Sequence, residues 1–454
     1  MFEINELLKA AKGRLMSGKK NATVRGISID SRTILPGYAF IAIKGNNFDG
    51  HDFIKEAIRK GAGCIISEPR GRRHHAPGAT LIEVKDSVKA LGNIARFHRK
   101  RFTLPVIAIT GSNGKTTVKD MVAWVLSQRF KVLKNTGTKN NHIGLPQTLL
   151  NLNSSYDLAV LELGTSHFGE IGYLAEICLA NIGIITNIGP SHLEYLKNLR
   201  GVFREKYSLI KYLNKRGIAI LNADDSLLKR KLLTENECPV MFGFGIVNHG
   251  DFFATDIRVL KQKIEFLVNR KYKFTLRVLG YYNIYNALAA IAVGRLFGME
   301  YKDIAARLVN FNLPQSRLGF IELKKIRFID DSYNSNPLSL KQALEALHNF
   351  KVEGRKILVM GDMLELGNRS ELFHRQAGYQ IARICDVFIT VGRLSKFAAR
   401  AARLGGFDSR NIFTCESTLE ARDILFKKIS PRPDDIVLVK GSRSMKMEEV
   451  FKET

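Results

Sequence analysis

At 454 residues, with 45% hydrophobic and 25% charged side chains, the chain exceeds the usual size of one hydrophobic core and predicts two or three globular domains. No apolar run reaches bilayer-spanning length, and the opening MFEINELLKAAKGR carries acids where a signal peptide needs an apolar stretch, which argues against membrane insertion and for a cytoplasmic protein. The net charge of +27 favours anionic ligands without choosing among nucleic acid, acidic membrane and phosphorylated small molecules.

Apart from short clusters such as RGRRHH at 70–75, the basic residues are spread along the chain and read as solvated surface. Cys64, Cys178, Cys238, Cys385 and Cys415 lie far apart with no C-x-x-C pair, which predicts reduced structural thiols rather than zinc ligands.

Residues 22–98 mix short strands (TVRGISID, AFIAIKG, GCIISE, TLIEV) with helical stretches at 52–60 and 86–100, the pattern of a small α/β domain. From Leu104 and Pro105 an apolar run, VIAIT, opens a series of β-branched strands alternating with amphipathic helices, as in a parallel sheet covered on both faces. Its strands are expected at 157–163, 182–187 and 217–221, with antiparallel strands added over 252–279 and a helix over 283–297. After FNLPQSRLG at 311–319 the alternation restarts, with strands near 327–330, 356–360, 386–391 and 435–440, as in a dinucleotide-binding fold. The predicted class is α/β in three domains, 1–103, 104–313 and 314–454, with no internal repeat.

The sharpest motif is ITGSNGKTT, residues 109–117, between a buried strand and a helix whose Val118, Met121, Val122, Val125 and Leu126 form one apolar stripe. Gly111 and Gly114 let the loop, with Ser112, Asn113 and Thr117, wrap close to phosphate. The helix start attracts negative charge, Lys115 reaches terminal phosphates and Thr116 can hold Mg²⁺. A nucleotide site follows. Ile109 stands where the general spacing has glycine, so the loop is a shortened form.

Glu162 ends the strand DLAVLEL, at the carboxyl edge where open sheets bind ligands; it reads as a Mg²⁺ ligand or as an exposed acid. His192 lies in the equivalent loop of the next strand, with a structural role as the alternative. Lys206 falls on the apolar stripe of Leu199, Val202, Phe203, Leu209, Ile210 and Leu213, so it needs an anion, loses its charge, or reaches out to solvent. Asn283 and Asn286 share a helical face from which an amide can pair with an adenine edge, unless they serve only the helix. Arg317, Asp331 and Tyr333 sit in a linker and at a strand end, suited to γ-phosphate and ribose contacts.

Taken in order, these residues resemble the Mur ligase family over nearly the whole chain. The matching runs are DSRTILPGYAFIAIKGNNFDGHDFI at 30–54, GSNGKTT at 111–117, TKNNHIGLPQTLL at 138–150, LELGTSHFGEI at 161–171 and FREKYSLI around Lys206. DDSYNSNPLSL, MGDMLELG at 360–367 with His374, and VLVKGSRSMKMEEV at 437–450 continue the match. GKTT marks the broad superfamily, whereas YNSNP and GDMLELG are particular to the branch that adds D-alanyl-D-alanine. The D-N-P-R run of the sibling that adds the third amino acid is absent, and Tyr282-Asn283 stands where the family commonly has His-Asn.

The resemblance implies an ATP-dependent amide ligase with a UDP-binding first domain, a central P-loop ATPase-like domain with two Mg²⁺, and a C-terminal Rossmann-like domain that receives D-alanyl-D-alanine. It implies UDP-N-acetylmuramoyl-tripeptide held through Ser31, Arg32, Lys44, Asn140 and Asn141. ATP would meet the phosphate loop with Asn283, Asn286, Arg317, Asp331 and Tyr333. Metal ligands would be Thr116, Glu162, His192 and Lys206, the last as a carbamate, with Lys115, His192, Lys206 and Arg317 catalytic. A monomer that binds no nucleic acid is expected. The rival readings are a sibling amide ligase, either the third-residue-adding Mur ligase or a folylpolyglutamate synthetase, and, on charge alone, a basic nucleic-acid-binding ATPase.

Overall fold

Three large sheets, preceded by a two-stranded pairing of Phe2–Glu3 with Thr23–Val24, follow one another along the chain in the computed structural model, which describes residues 1–69, 78–214, 216–234, 239–260 and 263–451. The RGRRHH cluster and Cys238 lie outside the described residues. Near the N-terminus a five-stranded sheet runs in the order Arg14–Ser17, Thr80–Glu83, Cys64–Ser67, Ala39–Ile41 and Ile27–Ser28, parallel except at its first pair. The helix Ser87–Arg99 begins where the Asp86 carboxylate accepts the Lys89 N–H, one of the donors a helix start leaves without a carbonyl.

The central sheet has nine strands, in the order Tyr272–Leu276, Lys263–Val268, Phe252–Leu260, Val240–Gly245, Ile218–Asn222, Ile182–Ile185, Val106–Thr110, Leu158–Glu162 and Val132–Lys134. From Val132–Lys134 to Phe252–Leu260 all pairs are parallel, and the last two are antiparallel. Val106–Thr110 is central and entirely buried, so continuous Val, Ile and Ala serve it better than alternation. Against one face packs the helix Asn283–Leu296, in which Ala287, Ala289, Ala290 and Ala292 are all buried. Its apolar residues encircle it because neighbours do the same, including the helix Lys115–Leu126.

The third sheet runs Gly319–Leu323, Ile326–Asp331, Ile436–Lys440, Lys356–Gly361, Val387–Val391 and Ile412–Cys415, parallel except at the first pair. The expected strands are present, and Gly319–Leu323 and Ile412–Cys415 are additions. The hairpin of Gly319–Leu323 turns on Lys324 (φ 51°) and Lys325 (φ 67°), left-handed positions usually marked by Asn-Gly, so Lys-Lys concealed it. Cys64, Cys178, Cys385 and Cys415 are free and buried; burial pushes the thiols of Cys64, Cys178 and Cys415 up to about 12. Among the described residues no helix is long and apolar enough to cross a membrane.

Candidate active site

The carboxyl ends of the central strands face the C-terminal domain across a cleft of about 740 Å³. The phosphate loop forms its floor. Gly111 (φ 151°) and Gly114 (φ 80°) are the two positions where the turn excludes a side chain. A Cβ on Gly111 would lie 1.8 Å from Thr186 Oγ1, and one on Gly114 2.5 Å from Asn286 Oδ1. Ser112 Oγ donates to the Gly189 carbonyl at 2.9 Å, and Asn113 N–H donates to Asn187 Oδ1 at 3.0 Å. The loop is thereby tied to the segment that follows the strand Ile182–Ile185. Helix Lys115–Leu126 starts immediately after, so the N–H groups of its first turn point into the cleft as an anion seat. Lys115 Nζ rests on the carbonyls of Gly111 and Ser112 at 3.0 and 3.3 Å. Burial lowers its pKa, with Arg317 adding to the effect and Glu162 opposing it.

Beside the loop, Thr116 Oγ1 donates to Glu162 Oε2 at 2.7 Å, and Asn140 Nδ2 donates to Oε1 at 2.8 Å. Glu162 is 3% exposed, so it is not the solvated strand end that was its alternative. Asn135 fixes its backbone by accepting the Glu162 N–H and donating to the Glu162 carbonyl, both at 2.9 Å. The Thr116 and Glu162 oxygens are hard donors at a separation close to the edge, about 2.9 Å, of a magnesium octahedron with bonds of 2.0–2.1 Å. The pair therefore fits Mg²⁺.

The opposite wall comes from the linker and third sheet. Arg317 lies between two residues in left-handed conformation, Ser316 (φ 57°) and Leu318 (φ 53°), a strain of order 1–3 kcal/mol each. Two adjacent carboxylates hold that geometry. Ser316 Oγ donates to Asp330 Oδ2 at 2.8 Å, and Leu318 N–H donates to Asp331 Oδ1 at 3.2 Å. The Arg317 guanidinium then sits 4.1 Å over the Tyr333 ring. Lys440, 1% exposed, reaches Asp331 Oδ2 at 2.5 Å and the Asn334 carbonyl at 3.0 Å.

His192 lines the cleft together with Glu162, and its Nδ1 meets Glu365 Oε2 of the C-terminal domain at 2.6 Å. Asn283 and Asn286 do not line the cleft. Asn283 is 0% exposed with Nδ2 on the Leu279 carbonyl, and Asn286 donates to Asn283 Oδ1, because the helix that carries them is buried all round. Asp331 lines the cleft and there accepts from Lys440 and from the Leu318 N–H.

Lys206 is 1% exposed and does not reach solvent. Among the described residues it makes no ion pair, and burial, with repulsion from Lys115, lowers its pKa well below the ordinary value. Asn140 and Asn141 line the cleft, Asn141 capping the turn at Ile143 and Gly144. Ser31, Arg32 and Lys44 do not line it; Ser31 donates to Glu56, and Arg32 is paired with Asp30 at 2.7 Å.

Four contributors escaped sequence reading. Asn336 pairs with Asn113 across the cleft, Lys440 with Asp331, and Glu365 with His192. Glu205 accepts the Gly169 and Ile171 N–H groups, both at 2.7 Å, and so fixes the start of helix Glu170–Cys178 behind the cleft loop. Only Lys440 gave a signal, a lysine closing the otherwise apolar strand IVLVK.

The Mur ligase middle domain matches residues 109–294, the Mur ligase glutamate ligase domain residues 316–443, and the Mur ligase family catalytic domain residues 23–99. The UDP-N-acetylmuramoyl-tripeptide–D-alanyl-D-alanine ligase of Bacillus subtilis (strain 168) is 34% identical over 459 positions, covering 99% of this chain and 97% of that relative. Among solved structures, MurF from Acinetobacter baumannii aligns with a TM-score of 0.89 at 31% identity, covering 99% of this chain and 97% of the other. MurF from Thermotoga maritima, solved in complex with ADP, aligns with a TM-score of 0.82 at 27% identity, covering 94% and 96%.

Proposed function

This chain belongs to the Mur ligase family, and from that premise we propose that it is the ATP-dependent ligase that joins D-alanyl-D-alanine to UDP-N-acetylmuramoyl-tripeptide. The products are the UDP-linked pentapeptide precursor of peptidoglycan, ADP and phosphate, and the working unit is a cytoplasmic monomer. The observation that carries the reading is likeness along the full length to ligases of this one specificity, together with a cleft that sets a phosphate loop against the C-terminal domain.

The chemistry follows from the weakness of a carboxylate as electrophile. The terminal carboxylate of the tripeptide takes the γ-phosphoryl group of ATP, giving an acyl phosphate and ADP. The neutral amine of D-alanyl-D-alanine then adds to the acyl carbon, phosphate leaves with the C–O electron pair, and the nitrogen loses a proton. Lys115 and the first N–H groups of its helix hold the phosphates, and Arg317, aimed from the strained linker, meets the charge that develops on the transferred group. Mg²⁺, held by Thr116 and Glu162, supplies neutralisation of phosphate oxygens when bound. Asn140 keeps the Glu162 carboxylate oriented, and Asn336 and Glu365 bring the C-terminal domain over the loop, which shields the acyl phosphate from water.

The test is phosphate release from ATP in the presence of UDP-N-acetylmuramoyl-tripeptide, with and without D-alanyl-D-alanine. Sustained release should require both substrates and yield the pentapeptide by mass. Release indifferent to the dipeptide, or supported equally by a single amino acid, overturns the assignment.

A further inference from the structure

The helix Leu199–Lys211 buries Val202, Leu209 and Ile210, yet it also buries Glu205, which is 3% exposed. Among the described residues no lysine or arginine pairs with that carboxylate, and an ionised carboxylate taken out of water is costly unless donors meet it. Its donors all come from one segment. Oε2 accepts the Gly169 N–H at 2.7 Å, and Oε1 accepts the Ile171 N–H at 2.7 Å and the Thr165 hydroxyl at 3.4 Å. Residues 164–169 join the strand Leu158–Glu162 to the helix Glu170–Cys178 and line the cleft through Gly164, Thr165, Ser166 and His167. Glu205 itself does not line it.

Capping is the simplest service of such an acceptor, because Glu170–Cys178 starts at Gly169 without a capping side chain of its own. Capping alone does not call for a carboxylate from a distant helix. A serine or aspartate at 169 would serve, but Gly169 stands at φ 89°, a left-handed conformation that glycine adopts without the strain another residue carries. The chain turns there toward the cleft, and the cap falls to Glu205. Two further ties complete the shape. Glu170 Oε2 accepts the Ser166 and His167 N–H groups at 2.7 and 3.1 Å, and the Gly164 N–H donates to the Asn140 carbonyl at 2.8 Å. Asn140 also holds the Glu162 carboxylate, so the segment begins beside the Thr116 and Glu162 pair. It ends at the first domain, where helix Glu170–Cys178 packs on Ser87–Arg99 and Glu176 Oε1 meets Arg96 Nη1 at 2.9 Å. Arg317, Tyr333 and Asn336 stand on the other wall of the cleft.

We propose that Glu205 is a positioning residue that fixes residues 165–169 along the path of the carboxylate substrate, so that its loss weakens binding of UDP-N-acetylmuramoyl-tripeptide and spares ATP. On the ligase reading, on which this role rests, a long substrate held by the first domain passes this segment to bring its terminal carboxylate to the phosphate loop. ATP meets the loop from the opposite wall. Without the carboxylate, Thr165 and the Gly169 and Ile171 N–H groups lose their common anchor. The segment, still held at Gly164 and along helix Glu170–Cys178, gains other shapes that binding must select against, which lowers affinity for the substrate that touches it.

The test is steady-state kinetics of the full-length enzyme and of Glu205→Gln, which keeps the shape and one acceptor oxygen but turns an amide group toward an N–H donor. The KM for UDP-N-acetylmuramoyl-tripeptide should rise about tenfold or more, as loss of a hydrogen bond to a charged group implies. The kcat and the KM for ATP should stay within about twofold of the parent's. A carboxylate with a structural role alone would lower Tm and the active fraction without this split. Glu205→Asp, which keeps the charge on a shorter stem, should show a smaller shift in the same KM, and it carries the test if Glu205→Gln does not fold. Amide hydrogen exchange reads the ordering directly: Gly169 and Ile171 should lose protection in the variants while Leu209 and Ile210 keep theirs. A parent that does not ligate sinks the functional reading and this role with it. A parent that ligates overturns this role alone if the variants leave the KM for the tripeptide substrate unchanged, raise both KM values equally, or lower only kcat, the last meaning that Glu205 acts through its neighbour Lys206.

Discussion

Asn336 and Asn113, on opposite sides of the cleft, exchange side-chain amide bonds: Asn336 Nδ2 donates to Asn113 Oδ1 at 2.7 Å, and Asn113 Nδ2 donates to Asn336 Oδ1 at 3.2 Å. The same Asn336 oxygen caps the helix Pro337–Asn349 by accepting the Ser339 N–H at 2.9 Å. One side chain thus serves a local helix and a contact with the phosphate loop. Asn336→Asp keeps the cap acceptor but faces Asn113 Oδ1 with a second acceptor and brings negative charge toward polyphosphate. It should leave Tm unchanged and raise the KM for ATP about tenfold, a loss of about 1.4 kcal/mol. Asn336→Ala should also cost about 1 kcal/mol of stability through the lost cap. An unchanged KM in both variants would remove the clasp from any role in nucleotide binding.

The strained turn around Arg317 depends on Asp330, whose oxygens accept from Ser316 Oγ at 2.8 Å and from Ser332 Oγ at 2.6 Å. Asp330→Ala releases Ser316 from its left-handed conformation and lets Arg317 leave Tyr333. Turnover is expected to fall about tenfold or more, since misplacing a charge-stabilising group by about 1 Å can cost 10²-fold. Steady-state kinetics with thermal melting distinguishes this from unfolding: a kcat unchanged in a stable variant contradicts the role given to Asp330.

Asp331 and Lys440 form a buried pair at 2.5 Å, so a variant at Asp331 changes more than one contact. Asp331→Ala leaves the Lys440 ammonium buried and unpaired, with an expected loss of about 3–5 kcal/mol. Adding Lys440→Met should recover most of that stability without restoring activity. Urea denaturation of both single variants and the double variant measures the coupling; additive losses would show that the pair does not act as a unit.

Lys206 is buried beside Lys115, a position that disfavours an ammonium. Its carbamate, proposed from the family resemblance, would exchange the positive charge for oxygen donors. Lys206→Ala should be folded and nearly inactive, and a short carboxylic acid added to the buffer should restore part of the activity. With ¹³C-bicarbonate, the parent should show a carbamate resonance that the variant lacks. A parent without that resonance under turnover conditions would refute the modification.

His374 is 0% exposed; its Nε2 accepts the Met363 N–H at 3.0 Å and its Nδ1 donates to the Ser370 carbonyl at 2.6 Å. Burial lowers its pKa, against smaller opposing effects from Ser370 and Asp362. The unfolded chain therefore binds more protons below about pH 6.5. The histidine's contribution to stability is complete above that pH and is lost as pH falls through the lower folded value. Urea midpoints measured from about pH 7 to 5 should decline, and His374→Gln should flatten that part of the slope. An unaltered slope would assign the decline to other groups.

The phosphate loop was legible because its chemistry is local: glycines, lysine and threonine at fixed spacing need only a strand before them and a helix after them. Lys206 was legible as buried for the same reason, since helical period alone places it among Val202, Leu209 and Ile210. The other wall of the cleft was not. Asn336 meets Asn113, Glu365 meets His192 and Lys440 meets Asp331 across long stretches of chain, and no periodicity relates such positions. Asn283 and Asn286 show the converse. Their shared face follows from spacing, but only the packing of Asn283–Leu296 on all sides decided that this face points inward. The sequence by itself determined the α/β order and the nucleotide loop, because both arise from contacts within a few residues; which side chains complete the site was decided by the docking of one sheet's strand ends against another's.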